Sequence, residues 1–433
     1  MSTPSLTTLT YKFVEIQSID GSKKIDLSNK ILFSDYFEDI LSPCITMTMQ
    51  IQSEYSILHQ LPIRGGEPVV FSVETYSGEF VLEKEFALYV YKVSGIVADS
   101  SREMFTLHLT SREGLTNETV RVQKKYTPKP INDHVTSILK DVLLTKKYKS
   151  ENIERTSNSF SFIGTLKKPF TVLTWLGPKG VPITSSSGKK GTTAKGVTGF
   201  LFYENKDGFN FRSIDSLVSS TKNQLSSTES ENIPTYTYSQ AIETNSPSNN
   251  FSVLNYNFEK NIDLMKALRV GMYANVTYFY DIYQNKLEGI TYKIADEIKS
   301  KLGSEGKLNY PKEFANRPSR ILFRTSDIGV NDEVGNPVES GRDNTDMAKS
   351  FSRYNLLFTQ SLNMIVPLNV NLRAGGLINA QFQKVDASKP GEVDEEQSGR
   401  YLIKELRHHF ESGQMVTSLK LVRDSYGLYG AKQ

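Results

Sequence analysis

The sequence contains one cysteine, Cys44, in 433 residues. That excludes an intrachain disulfide and a cysteine-built zinc cage, and makes folding in a reducing compartment the simpler expectation. Charge of one sign is also missing. Fifty-one Lys and Arg stand against 48 Asp and Glu, a net +3, whereas a dedicated nucleic-acid or membrane-surface binder carries a clustered basic excess. Long hydrophobic runs are absent too. The longest uncharged stretch, Tyr354 to Leu372, holds Gln360, Ser361, Pro367 and four Asn, too polar for a membrane span. The start, MSTPSLTTLTYKF, has neither the basic beginning nor the apolar stretch of a secretory signal. A soluble chain is expected.

What is present is period two. The length predicts two to four domains. Between Leu6 and about Leu115, segments such as CITMTMQIQSE, PVVFSVETY and MFTLHLTSRE alternate or are rich in β-branched and aromatic residues, which predicts a small barrel or sandwich. Ser34 to Leu41, SDYFEDIL, reads as a single helical turn.

Near Val120 the pattern changes. Ile131, Val135, Ile138, Val142 and Leu143 recur at helical spacing behind Pro130, and a shorter helix is expected from Pro169 to Leu176, stopped by Gly177-Pro178. A Gly-, Ser- and Lys-rich loop, Ser185 to Lys195, reads as mobile. It is followed by a hairpin turning at Asp207-Gly208 and a Ser/Thr/Asn-rich connector over 219–250.

A second β-rich stretch begins at Phe251, with strand pairs on both sides of a charged segment, 296–346, that reads as an insertion. The expected division is therefore a first β-barrel over 1–118, an α/β region over 119–240, and a second barrel from 241–294 with 345–433. Residues 295–344 are set aside as the insertion. LPIRGGEPVVFSVE and PLNVNLRAGGLINAQF both place an Arg and a Gly pair before an alternating run, which predicts an internal duplication with Gly65 and Gly375 on equivalent strands.

Chemistry is scarcely written here. SGKKGTT lacks a phosphate loop's spacing, because Ile183 and Lys190 stand where Gly and Ser/Thr are required. His408 and His409 are neighbours in an expected strand and point to opposite faces, and His59, His108 and His134 are isolated. No nucleophile elbow or zinc-protease motif occurs, and the acidic loop from Asp386 to Glu396 lacks a calcium-loop order. A glycosidase carboxylate pair has no fixed spacing, and nothing points to one. No catalytic, cofactor-binding or metal-ligating residue is assigned, and no cofactor is expected.

Four ordered segments carry a resemblance. Arg121, Val122, Tyr126, Lys129, Pro130, Ile131 and Asp133 match the run into a helix seen in baseplate hub subunits of contractile-tailed bacteriophages. Pro169, Phe170, Trp175 and Leu176 resemble that family's Pro-Phe helix. Tyr203 lies in a hairpin similar to its aromatic hairpin, and Arg423-Asp424 follow a closing strand pair of the same kind. The resemblance implies mainly β architecture with an α/β middle and two tail-tube-like barrels per chain. It also implies a homotrimer that meets a central spike on one side and tail-tube or tube-initiator proteins on the other, among other baseplate proteins. Phage DNA would pass through without sequence recognition. The location implied is the virion's tail baseplate, after assembly in the host cytoplasm. Type VI secretion spike proteins share the hub fold but continue into a needle. This chain stops about nine residues after Asp424, which favours a hub with a separate spike.

Two other classes compete with this structural adaptor: a tail-associated peptidoglycan or polysaccharide hydrolase, and an ordinary ligand-binding β protein. A hydrolase needs two carboxylates on strand ends facing a cleft. An adaptor needs broad barrel surfaces and no such pair.

Overall fold

The computed structural model describes residues 9–99, 101–183, 198–219, 233–238, 250–260, 263–282, 284–294, 302, 312–326, 344–384 and 392–427. The Ser185–Lys195 loop lies outside them, as does most of the expected connector and of the insertion.

The first region folds as its alternation dictates. Its strands are β1 (Thr10–Gln17), β2 (Lys24–Asp26), β3 (Ile31–Asp39), β4 (Thr46–Ser53), β5 (Pro68–Thr75), β6 (Gly78–Leu82), β7 (Leu88–Ala98) and β8 (Glu103–Ser111). In β4 every second residue is buried, the signature of a strand with one face on a core. The expected helical turn at Ser34–Leu41 is instead the end of β3, to Asp39, and the turn after it. Both edges of β3 are paired, with β4 on one side and a strand from the chain's far end on the other. Two full ladders outweigh a marginal one-turn helix.

The middle is α/β, as expected. Its strands are β9 (Lys125–Pro130), β10 (Tyr148–Ile153), β11 (Ser159–Ile163), β12 (Phe200–Asn205) and β13 (Gly208–Ser213). Helices run over Ile131–Ser137, continuing as a π-turn to Val142, and over Pro169–Leu176 with Pro169 in the first turn. They close a separate aromatic core that includes Phe170, Phe202, Phe209 and Phe211.

The remaining strands are β14 (Thr235–Thr237), β15 (Asn255–Lys260), β16 (Ala274–Asp281), β17 (Lys286–Lys293), β18 (Arg320–Thr325), β19 (Gln360–Pro367), β20 (Leu377–Gln381), β21 (Gly399–Glu411) and β22 (Val416–Arg423). The expected connector thus contains a strand, β14, with Tyr236 buried. The pair β16–β17 does not join the second large strand set. It forms its own three-stranded sheet with β18, which comes from the expected insertion.

The duplication is visible in the topology. The first set runs β1-β5-β7-β8-β4-β3 across the sheet. The second runs β14-β20-β21-β22-β19-β15. Numbered along the chain, with β2 and β6, which extend from β1 and β5, left aside, both read first-fourth-fifth-sixth-third-second. Details repeat as well. Gly66 N–H donates to Val90 O (2.7 Å) and Val90 N–H to Glu67 O (3.0 Å), while Gly375 N–H donates to Ile403 O and Ile403 N–H to Gly376 O (both 2.9 Å). Immediately after, the ladder to the next strand slips by one residue in each set, between Val90 and Lys92 and between Ile403 and Glu405. Gly66 is therefore the equivalent of Gly375, one residue out of phase with a simple overlay of the two Gly pairs. One pairing differs: β14 lies parallel to β20, whereas β1 is antiparallel to β5.

Among the described residues neither set closes on itself by hydrogen bonding. The two run into each other through β3 and β21 as one continuous sheet. They also share a core. Phe80 of β6 packs on Phe410 of β21 (centroids 5.4 Å apart) and on Tyr36 of β3 (4.9 Å).

Candidate assembly site

The place where the two sets join is built by β21, whose thirteen residues outrun its neighbours. Its first four residues pair with β20, and then Glu405 to Glu411 pair on the same edge with β3. An ion cluster overlies this ladder. The Arg407 guanidinium donates from Nε and Nη2 to the two oxygens of Asp35 (2.8 and 2.9 Å), the bidentate geometry that makes such pairs strong. Lys404 Nζ lies 2.9 Å from Asp39 Oδ2, and His409 Nδ1 lies 2.7 Å from Asp35 Oδ1.

Beneath the join, a buried carboxylate ties three regions together. Glu38 accepts from Tyr36 Oη (2.8 Å), from the Lys206 N–H in the β12–β13 turn (2.7 Å), and from the Ala374 N–H before β20 (2.7 Å). Burial pushes the Glu38 carboxyl up, partly offset by the Arg373 guanidinium. Burial and the same Arg373 bring the Lys206 ammonium down to about 8. A second buried cluster fastens the middle region to the first set. Lys147 Nζ sits 2.9 Å from Glu113 and 3.4 Å from Glu204, all three nearly fully buried. Thr145 Oγ1 donates to Glu113 (2.6 Å), and Ile45 N–H donates to Glu204 (3.2 Å). Burial lifts the Glu204 carboxyl to about 7, against the pull of Lys147.

The residues singled out in the sequence are engaged in packing and hydrogen bonds within the fold. Tyr126 stacks on Phe162 at 4.4 Å and Ile131 N–H donates to Thr156 Oγ1 (2.8 Å). Phe170 N–H donates to Asn117 Oδ1 (2.8 Å), and Trp175 lies under the Lys179 ammonium at 4.2 Å. Tyr203 is buried against Gly375. Arg423 donates from Nε to Gln360 Oε1 (2.6 Å), and Asp424 accepts from Arg353 Nη1 (2.8 Å) and from Leu302 N–H (2.9 Å). The two adjacent histidines diverge as expected. His408 is fully buried beside Thr417 (3.0 Å), and burial holds it down to about 3, whereas His409 faces the Asp35 cluster. His134 reaches Phe160 O (2.7 Å) and His108 reaches Ser94 Oγ (2.7 Å). Among the described residues no His, Cys, Asp or Glu group is arranged to hold a metal ion, and no helix is long and apolar enough to cross a membrane. Sequence reading missed Glu38, Lys147, Glu113 and Glu204. Glu38 and Glu204 offered one signal, their place inside otherwise apolar or alternating segments, whereas Lys147 and Glu113 stand in polar stretches and offered none.

Neither a protein-family model nor a curated protein sequence matches the chain. Solved structures do. The tail protein from Neisseria meningitidis MC58 aligns over 96% of this chain and 97% of its own, at TM-score 0.55 and 11% identity. The 43 kDa tail protein of prophage MuSo2 from Shewanella oneidensis aligns over 95% and 98%, at TM-score 0.51 and 10% identity. The chain has the fold of these tail proteins. Both alignments run over nearly the full length of each chain.

Proposed function

We propose that the protein is the structural hub of a contractile phage-tail baseplate, a homotrimeric ring that adapts a sixfold tail tube to a threefold central spike. The observation that carries this reading is the duplication: one strand order used twice in one chain. Three such chains present six similar units around an axis, which matches a sixfold tube on one face and keeps true threefold symmetry for a spike on the other. The units proposed are 1–118, 119–240, and 241–294 with 345–433, each strand set forming one tube-like barrel in the ring, with β14 lent to the second set by the middle stretch and β18 of 295–344 completing the small sheet of β16 and β17 beside it. The ring encloses part of the channel through which the genome leaves. A net charge near zero suits a wall that DNA slides past without being held. The protein works in the virion tail after assembly in the host cytoplasm, and its role is architectural. The buried carboxylates described above support that reading, since each is engaged by backbone N–H groups, a hydroxyl or a lysine; Glu38 also lines a cleft with Asp39 and Glu405, and there Lys404 pairs with both of the latter.

Native mass measurement and electron microscopy of the purified protein with its spike partner test this. A trimeric ring with six-fold-like density on one face is expected. A stable dimer, or a monomer that degrades peptidoglycan and loses that activity by a point substitution, would overturn it.

A further inference from the structure

The internal repeat leaves one join unmade. In the second set, the outer edge of β21 beyond Ile403 is filled by β3, the second strand of the first set. The equivalent edge in the first set belongs to β7 beyond Val90. β5 pairs with β7 only at Leu88 and Tyr89, and among the described residues no strand covers Tyr91 to Ala98 on that side. The equivalent of β3 in the second set is β15, which ends the sheet with one edge paired to β19 and, among the described residues, no strand on the other. Among the described residues, one chain therefore carries both halves of a contact that it makes once internally.

We propose that β7 of one subunit pairs antiparallel with β15 of the next, repeating between chains the β21–β3 join found within each chain. This rests on the ring proposed above and names its interface. The register follows from the ladders. Val97 and Met104 correspond to His409 and Val416, and Asn257 and Asn363 correspond to Asp35 and Thr48. Because His409 lies opposite Asp35, Val97 lies opposite Asn257 of the next chain, and Ala98 opposite its Tyr256.

The side chains agree with a covered edge. Ile96 and Val97 are 57% and 60% exposed on β7, and Phe251 and Leu254, just before β15, are 45% and 41% exposed. Bare strand edges flanked by apolar side chains are what proteins normally avoid unless another chain covers them. Each contact uses two different surfaces, so the association is head-to-tail and needs a ring to close.

Cross-linking tests the pairing on the full chain. In a Cys44→Ser background, Val97→Cys and Asn257→Cys are combined and the protein is treated with a short bis-maleimide. A ladder of cross-linked chains is expected from the double variant and none from either single variant. Cross-linking by Val97→Cys alone would overturn the proposal, since it requires two β7 edges to meet. An intact oligomer by mass that yields no ladder would overturn this interface while leaving the ring reading standing. A monomer by mass would remove both. Independently, Val97→Lys should weaken association by roughly tenfold or more, because a lysine must be desolvated at the join, with an unchanged circular-dichroism spectrum. Unchanged association would count against the pairing.

Discussion

Gly66 and Gly375 occupy the same place in two copies of one design, yet a methyl group would meet different surroundings at each. Both have positive φ, +98° and +84°, so alanine at either carries a backbone strain of roughly 1–3 kcal/mol. At Gly66 the nearest atom to an added Cβ is Ile19 Cδ1 at 3.9 Å, an ordinary contact. At Gly375 the added Cβ would press into the Tyr203 hydroxyl, closer than any real carbon stands. Gly375→Ala should therefore cost more than Gly66→Ala by a further 1–3 kcal/mol or so, the usual penalty of overpacking. Adding Tyr203→Phe should recover only part of it, because the ring carbon Cζ would still lie 2.8 Å away. Urea unfolding of the three variants measures this. Equal losses at the two glycines would show that the β12 hairpin yields easily and does not press on the turn. The sequence carried the glycine pairs but not the one-residue offset between them, since only the ladders align Gly66 with Gly375.

Among elements, the fastening of the middle region to the first strand set depends on one lysine facing two carboxylates. The excess negative charge at Lys147, Glu113 and Glu204 is accommodated by raising Glu204, whose folded value of about 7 exceeds its ordinary 4.5 because of burial. A carboxyl raised on folding binds its proton more tightly in the native state, so its contribution is complete below about pH 4.5 and is lost as pH rises through about 7. Glu204→Gln removes that dependence. The variant should gain on the parent as pH goes from 5 to 8, read from urea midpoints at both values. Parallel curves would mean that Glu204 stays ionised beside Lys147. None of this was readable along the chain, because Lys147 and Glu204 are 57 residues apart and Glu38 meets Ala374 across 336. Local grammar fared better. Alternation located β4, β5 and β8, and Pro130 and Pro169 marked their helices, because each signal lies within the element it shapes. The reading of Ser34–Leu41 as a helical turn fails because Ser34–Asp39 becomes strand through partners at Thr46–Ile51 and Glu405–Glu411, not through its own pattern. β14 hid in a polar segment for the same reason, gaining its strand from β20.

For the whole molecule, the two kinds of join should respond differently to salt. Within the chain, Arg407 and Asp35 form the bidentate pair that overlies the β21–β3 ladder. Their equivalents across the proposed subunit boundary are Ser94 and Asn257, both uncharged, with Ile96 and Val97 nearby. The repeat thus keeps its ion pair where the chain itself enforces the contact and has two uncharged polar residues in its place, beside Ile96 and Val97, where separate chains must find each other. Apolar burial is not screened by salt, whereas exposed ion pairs lose most of their attraction once the Debye length falls to a few ångströms. A chain with net charge +3 also adds little repulsion for salt to relieve. Assembly should therefore change by less than about threefold in dissociation constant between roughly 0.05 and 0.5 M sodium chloride, measured by sedimentation equilibrium. A steep weakening over that range would place charged pairs at the subunit boundary, and would mean that the contact between chains is not the repeat of the contact within them.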